Sequence, residues 1–180
     1  MKYPIGIQSF DRIIEDGYVY VDKTALIYSL VKEGTIYFLS RPRRFGKSLL
    51  VSTLKNYFLG RKELFKGLAM EGLEKDWLEY PVFHVDFNGS NFTEGGTLEN
   101  VIEGYISRWE QDFGIASDDS LDRGRRFIQV LEQSHERTGQ RAVVLIDEYD
   151  KPILDVLDTN IEVTVDGNRM LLEEWNRGVL

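Results

Sequence analysis

The chain has 180 residues, one domain's worth and enough to bury a sizeable core. Hydrophobic residues make up 42% and charged residues 29%, the balance of a folded, soluble protein. A formal net charge of −8 argues against non-specific nucleic-acid binding by the chain as a whole, and no apolar run approaches the ~20 residues that span a bilayer.

Residues 18–22, Tyr-Val-Tyr-Val-Asp, read as a short strand rich in β-branched and aromatic residues. Thr24 reads as a helix N-cap, and Gly34 stops the helix it begins. Ile36-Tyr37-Phe38-Leu39 is a continuous apolar run of strand length, suited to a strand buried on both faces. A loop from Ser40 to Gly46 leads into a helix from Lys47 to about Leu59, with Leu50, Leu54, Tyr57 and Phe58 on one face. One or two short helices are expected over 61–79, then a strand over 82–87 that Asn88-Gly89 ends. Residues 97–114 and 120–138 have helical spacing. Ala142-Val143-Val144-Leu145-Ile146, the most hydrophobic strand, runs straight into Asp147-Glu148. A loop over 156–168 and a last helix, Arg169–Arg177, complete the reading. Alternating strands and helices predict an α/β fold, a three-layer α/β/α sandwich with a mostly parallel sheet.

The chemistry concentrates at two places. Strand 36–39 leads through Arg41-Pro42-Arg43-Arg44-Phe45-Gly46-Lys47-Ser48 into an amphipathic helix, the setting of a phosphate-binding P-loop. Gly46 lets the backbone approach a β-phosphate, and the amides from Arg44 to Ser48 point into the loop at the positive helix end. Lys47 supplies a charge to the β- and γ-phosphates, and the Ser48 hydroxyl is a Mg²⁺ ligand. The expected nucleotide-binding set is Arg43, Arg44, Phe45, Gly46, Lys47, Ser48 and Leu49. Arg41 stands where the generic pattern has its first glycine, and Gly-Lys-Ser alone is common.

The second place is the buried strand ending in Asp147 and Glu148. Asp147 is placed to bind Mg²⁺ through water, opposite Ser48, and Glu148 to act as general base on the attacking water. A hundred positions separate Lys47 from Asp147, and the core strand expected to lie between their two strands is not visible before residue 180. The P-loop core is therefore expected to be incomplete. With no cysteine and only His84 and His135, disulfide, thiolate-metal and zinc chemistry are disfavoured, as fits a reducing cytoplasm. Met1 to Gln8 lack a secretory signal, so the expected location is cytoplasmic.

Four segments together carry a family resemblance: Ile5-Gly6-Ile7-Gln8-Ser9-Phe10, Tyr20-Val21-Asp22-Lys23-Thr24, the arginine-rich approach to Gly46, and Ile146-Asp147-Glu148-Tyr149-Asp150-Lys151-Pro152. The sequence resembles the bacterial AAA-ATPase-like family over nearly its whole length, and in that family a non-glycine at the Arg41 position is normal. Members often carry a nuclease-like domain of the PD-(D/E)XK type after the ATPase and are similar to signal-transducing ATPases with numerous domains. The resemblance implies an ATP- and Mg²⁺-binding switch over residues 1–180, with 1–34 as an adenine-side segment and 35–180 as the P-loop core. It also implies an effector or nuclease-like partner domain beyond residue 180. By position, Pro4, Ile5 and Gly6 would cover the adenine, although an ordinary N-terminal turn reads equally well there.

Other polar residues have plainer readings. Asp86 reads as a structural cap, His84 as a core histidine, Asp150 and Lys151 as a surface ion pair, and Arg177 as a helix C-terminal charge. A GTPase is disfavoured because no Asn/Thr-Lys-X-Asp motif follows Glu148, and a small-molecule kinase because the acid pair suits water activation. A binding module that regulates a partner without turnover is the remaining alternative. Membrane association and direct nucleic-acid binding are not expected.

Overall fold

The computed structural model of this chain describes residues 1–40, 42 and 45–180. Its elements are α1 (Phe10–Glu15), α2 (Thr24–Glu33), α3 (Lys47–Phe58), α4 (Ala69–Leu73), β1 (Val82–Asp86), α5 (Thr97–Asp112), α6 (Arg123–Thr138), β2 (Val143–Asp147), α7 (Lys151–Leu154), β3 (Glu162–Val165), β4 (Asn168–Leu171) and α8 (Leu172–Val179). The class is mixed α/β. Strands β1 and β2 form a two-stranded parallel sheet, and β3 and β4 a separate antiparallel hairpin.

Two expected strands do not form. Residues 18–22 make no ladder; Val19 N–H donates to Lys2 O at 2.8 Å, and the Lys2 ammonium lies 4.0 Å from the Tyr18 ring centre. Residues 36–39 are also non-strand, and Ile36 and Phe38 are 92% and 71% exposed. A local reason is visible in Tyr37. Its hydroxyl donates to Leu30 O at 2.7 Å, so it folds back over the end of α2. A Cβ on Gly34 would lie 2.5 Å from that hydroxyl, so only glycine fits beneath the ring without a shift. Through Tyr37 the apolar run is thus tied to the end of α2, and it pairs with no strand among the described residues.

Two compact units are present, each built from two stretches of chain. The first comprises Met1–Val82 and Gln140–Leu145. Its core is Phe10, Ile27, Tyr57, Leu64, Phe65 and Met70, and the Phe10 and Phe65 rings lie 4.9 Å apart. Polar ties fix the helices around it. Phe10 N–H donates to Ser52 Oγ on α3 at 2.9 Å. Asp22 accepts from Thr24 N–H and Thr24 Oγ1 at the start of α2 and from Ala69 N–H of α4, while Met70 N–H donates to Thr24 Oγ1. Asp22 therefore does the capping that the sequence assigns to Thr24, which is the first residue of the helix.

The second unit comprises Phe83–Gly139 and Ile146–Leu180. One cluster holds Phe87, Phe92 and Leu98, and Phe83 packs edge-on against Trp109 at 5.2 Å. Between α5 and α6, Arg126 Nε and Nη2 donate to the two oxygens of Glu110 at 2.8 and 2.7 Å. The hairpin takes the later part of the expected loop and the first three residues of the expected last helix, Arg169 to Leu171. Asp166 and Gly167 at its tip have φ of 50° and 80°, the paired left-handed conformation of a tight hairpin turn. Its register sets Val163 opposite Met170 and Val165 opposite Asn168. Helix α8 follows at once, and Asn176 Nδ2 donates to Pro152 O of α7 at 2.8 Å.

Candidate functional site

Helix α3 begins where the phosphate loop is expected to end. Gly46 is its N-cap in the left-handed conformation, φ 76° and ψ 25°, which disfavours any side chain. Leu50 N–H donates to Gly46 O at 3.0 Å and closes the first turn. Lys47 and Ser48 occupy that turn, half-buried, so the free amides of the helix start surround them. The helix is anchored within its first two turns: Leu49 and Leu50 pack on the first unit's core, and Ser52 accepts from Phe10. Phe45 is 64% exposed. Arg41, Arg43 and Arg44 lie outside the described residues.

Pro4, Ile5 and Gly6 form a turn just before α1 in the same unit. Ile7 N–H donates to Pro4 O at 3.3 Å, Gly6 has φ 74°, and Ile5 is 91% exposed. The tie from Phe10 to Ser52 fixes the helix after this turn to the helix that Gly46 begins.

In the second unit, Asp147 ends β2 and is 7% exposed. The strand is not buried on both faces as expected, since Val144 and Ile146 are 39% and 51% exposed. Glu148 follows with φ 53°, a backbone state that a non-glycine residue seldom adopts, and its N–H donates to Asp147 Oδ1 at 3.0 Å. Lys151 N–H donates to Glu148 O at 3.0 Å, so the sharp turn after the strand leads into α7. Lys47 and Ser48 thus belong to one unit, Asp147 and Glu148 to the other. Among the described residues no group of three or more His, Asp or Glu side chains forms a metal cage.

The remaining candidates have structural partners. Asp86 accepts from Asn88 N–H at 2.8 Å, the cap expected of it. Lys151 pairs with Asp155, and not with Asp150. Arg177 pairs with Glu173 one turn earlier on α8 at 2.8 Å.

The sequence matches the AAA-ATPase-like family, described as predicted AAA-ATPase, over residues 4–178. The chain belongs to this family. It is also 47% identical, over 158 residues, to an uncharacterized protein in the vnfD 5′ region of Azotobacter chroococcum mcd 1. That match covers 87% of this chain but only 30% of the relative's length. No solved structure matches the chain. No helix of the described residues is long and apolar enough to cross a membrane.

Proposed function

We propose that this AAA-ATPase-like chain binds ATP with Mg²⁺ at the start of α3 and hydrolyses it as a switch for an effector domain. The observation that carries the proposal is left-handed Gly46 opening a helix of 12 residues with Lys47 and Ser48 in its first turn. A glycine in that conformation leaves the amides of the helix start open to a phosphate, and the helix dipole favours the anion. The family's membership as a predicted ATPase supports the same reading, as does the acid pair at the end of β2.

In this reading Lys47 neutralises phosphate charge, and the amides of Gly46, Lys47 and Ser48 orient the phosphates, with Phe45 and Leu49 flanking and Arg43 and Arg44 adding charge. Ser48 would hold Mg²⁺ directly and Asp147 through water, and the ion would offset the negative charge of the phosphate oxygens. Glu148 takes the proton of the attacking water. Pro4, Ile5 and Gly6 cover the adenine. A three-layer P-loop sandwich and a cytoplasmic location belong to the same proposal, and a nuclease-like effector would lie outside these 180 residues.

Titration with a fluorescent ATP analogue, followed by phosphate release, tests it. Lys47→Ala is expected to weaken binding at least about tenfold through loss of a charge-assisted contact. Glu148→Gln is expected to keep binding and slow phosphate release about a hundredfold or more. Unchanged ATP affinity in Lys47→Ala would sink the site. Competition with GTP decides the base, and binding without phosphate release points to a regulatory module.

A further inference from the structure

The turn that leaves β1 holds the pair Asn88-Gly89, and Asn88 is the only asparagine of the chain that a glycine follows. Asparagine is a thermolabile residue, because the backbone nitrogen of the next residue can attack its side-chain carbonyl carbon. The side chain of that next residue normally obstructs the approach, and glycine has none. Both partners are open here. Asn88 and Gly89 are exposed, and among the described residues the Asn88 side-chain amide makes no hydrogen bond. Even a Cβ built on Gly89 would meet nothing within 4 Å.

The backbone supplies a restraint. Phe87–Gly89 is a single turn of 3₁₀ helix, and the Asp86 carboxylate before it accepts from Asn88 N–H at 2.8 Å. The Tyr105 hydroxyl accepts from Asp86 N–H and donates to Asp86 O, both at 3.0 Å. Helical backbone at Asn88 turns the Gly89 nitrogen away from the side-chain carbon, and ring closure needs an extended one. A 3₁₀ turn of three residues on an exposed surface opens at little cost, so it slows this reaction without preventing it.

We propose that Asn88 is a site of spontaneous deamidation. The Gly89 nitrogen gives its proton to hydroxide and forms a bond to Cγ of Asn88. The bond from Cγ to Nδ2 breaks, and Nδ2 takes a proton from water and leaves as ammonia, which closes a succinimide ring. Water then opens the ring at either carbonyl and returns the proton to the Gly89 nitrogen, giving aspartate or isoaspartate. The sum is one amide and one water to one carboxylic acid and one ammonia, with nothing oxidised or reduced. Either product adds a carboxylate beside Asp86 on a chain that already carries a net charge of −8. Strands β1 and β2 run parallel, so the new charge follows β1 at the sheet edge where β2 delivers Asp147. Isoaspartate also lengthens the main chain before Gly89, and the 3₁₀ turn cannot re-form. The reaction needs only water, so it does not depend on nucleotide.

The test incubates the full chain at neutral and at mildly alkaline pH and follows the peptide containing residue 88 by mass spectrometry, with isoaspartate scored by enzymatic carboxyl methylation. Deamidation at residue 88 is expected to outpace that at every other asparagine about tenfold or more. It should quicken with pH, because the nitrogen attacks after losing its proton, and quicken further in urea, where the turn is lost. Gly89→Ala is expected to fold, since its Cβ has open space and Gly89 is not left-handed. That variant should deamidate about tenfold more slowly or less. Residue 88 left intact in the folded chain over a period that converts it in urea overturns the proposal. So does a rate no higher than at the other asparagines, or one unchanged in Gly89→Ala.

Discussion

Single buried charges set two measurable properties of this chain. Glu74 is 5% exposed and accepts from the Tyr57 hydroxyl at 2.5 Å, and Lys32 lies 3.0 Å from it. Burial pushes the pKa of Glu74 up, but Tyr57, the amides of Asp76 and Lys75, and Lys32 together outweigh it and bring the value down to about 2. The folded value is therefore below the ordinary 4.5, so the stabilisation is fully present above that value and is lost as the pH falls toward 2. A shift of this size is worth on the order of 3 kcal/mol. Urea unfolding should show the loss between pH 5 and pH 2, and Glu74→Gln should flatten that slope; an equal slope in the variant would remove Glu74 as its source. Arg126 presents the complementary case. Its fork on Glu110 leaves both groups buried, and Glu103 adds a second carboxylate partner. Arg126→Met strands Glu110 without a cation and should cost about 3–5 kcal/mol in urea unfolding. Adding Glu110→Met should restore much of the loss, because two packed apolar side chains carry no desolvation penalty.

Elements differ in how plainly the sequence announces them, and the β3–β4 hairpin is the instructive case. Asp166-Gly167 between alternating Val163, Val165 and Met170 carries a hairpin signal, yet the residues also read as a loop and a helix start. The turn decides between them. Gly167 has φ 80°, so Gly167→Val should cost about 1–2 kcal/mol and unpair Val165 from Asn168, seen as lost cross-strand contacts by NMR. Intact cross-strand contacts in that variant would show that the strands, not the turn, hold the register. The helices α5 and α6 and the strands β1 and β2 were legible because period and breakers agree within each segment. Residues 36–39 were misread because an apolar run reports burial only where a neighbour exists to cover it, and Tyr37 instead bonds to the end of α2. The start of α3 was legible in Gly46-Lys47-Ser48, and Gly46 adopts the left-handed state that a glycine takes without strain. The left-handed state of Glu148 was not legible, since nothing local in Asp-Glu-Tyr demands it. Nor was the bond from Trp175 to Glu99, which joins residues 76 positions apart.

At the scale of the whole molecule the path of the chain matters more than any one contact. The backbone passes from one unit to the other after Val82, returns at Gln140, and leaves again after Leu145, so neither unit is a continuous stretch of sequence. Removing residues 140–180 would take part of the first unit as well as the second, because the last segment of each lies there. Interleaving of this kind favours one unfolding transition over two, since loss of order in either unit frees the crossing segments of the other. Trp77 reports on the first unit, and Trp109 and Trp175 on the second. Their indole N–H resonances are therefore expected to vanish together along a urea series. The proposed nucleotide makes the expectation sharper. A ligand held at Gly46 stabilises the folded state by about 2.7 kcal/mol at a hundred times its Kd. In a cooperative molecule ATP with Mg²⁺ must then shift the midpoint reported by Trp175 as far as that reported by Trp77. A shift confined to Trp77 would mean that the second unit unfolds on its own, and that nucleotide at α3 is not felt at Asp147 and Glu148. Such a molecule would bind ATP without carrying its state to the acid pair, and the switch reading would fail while the binding reading survived.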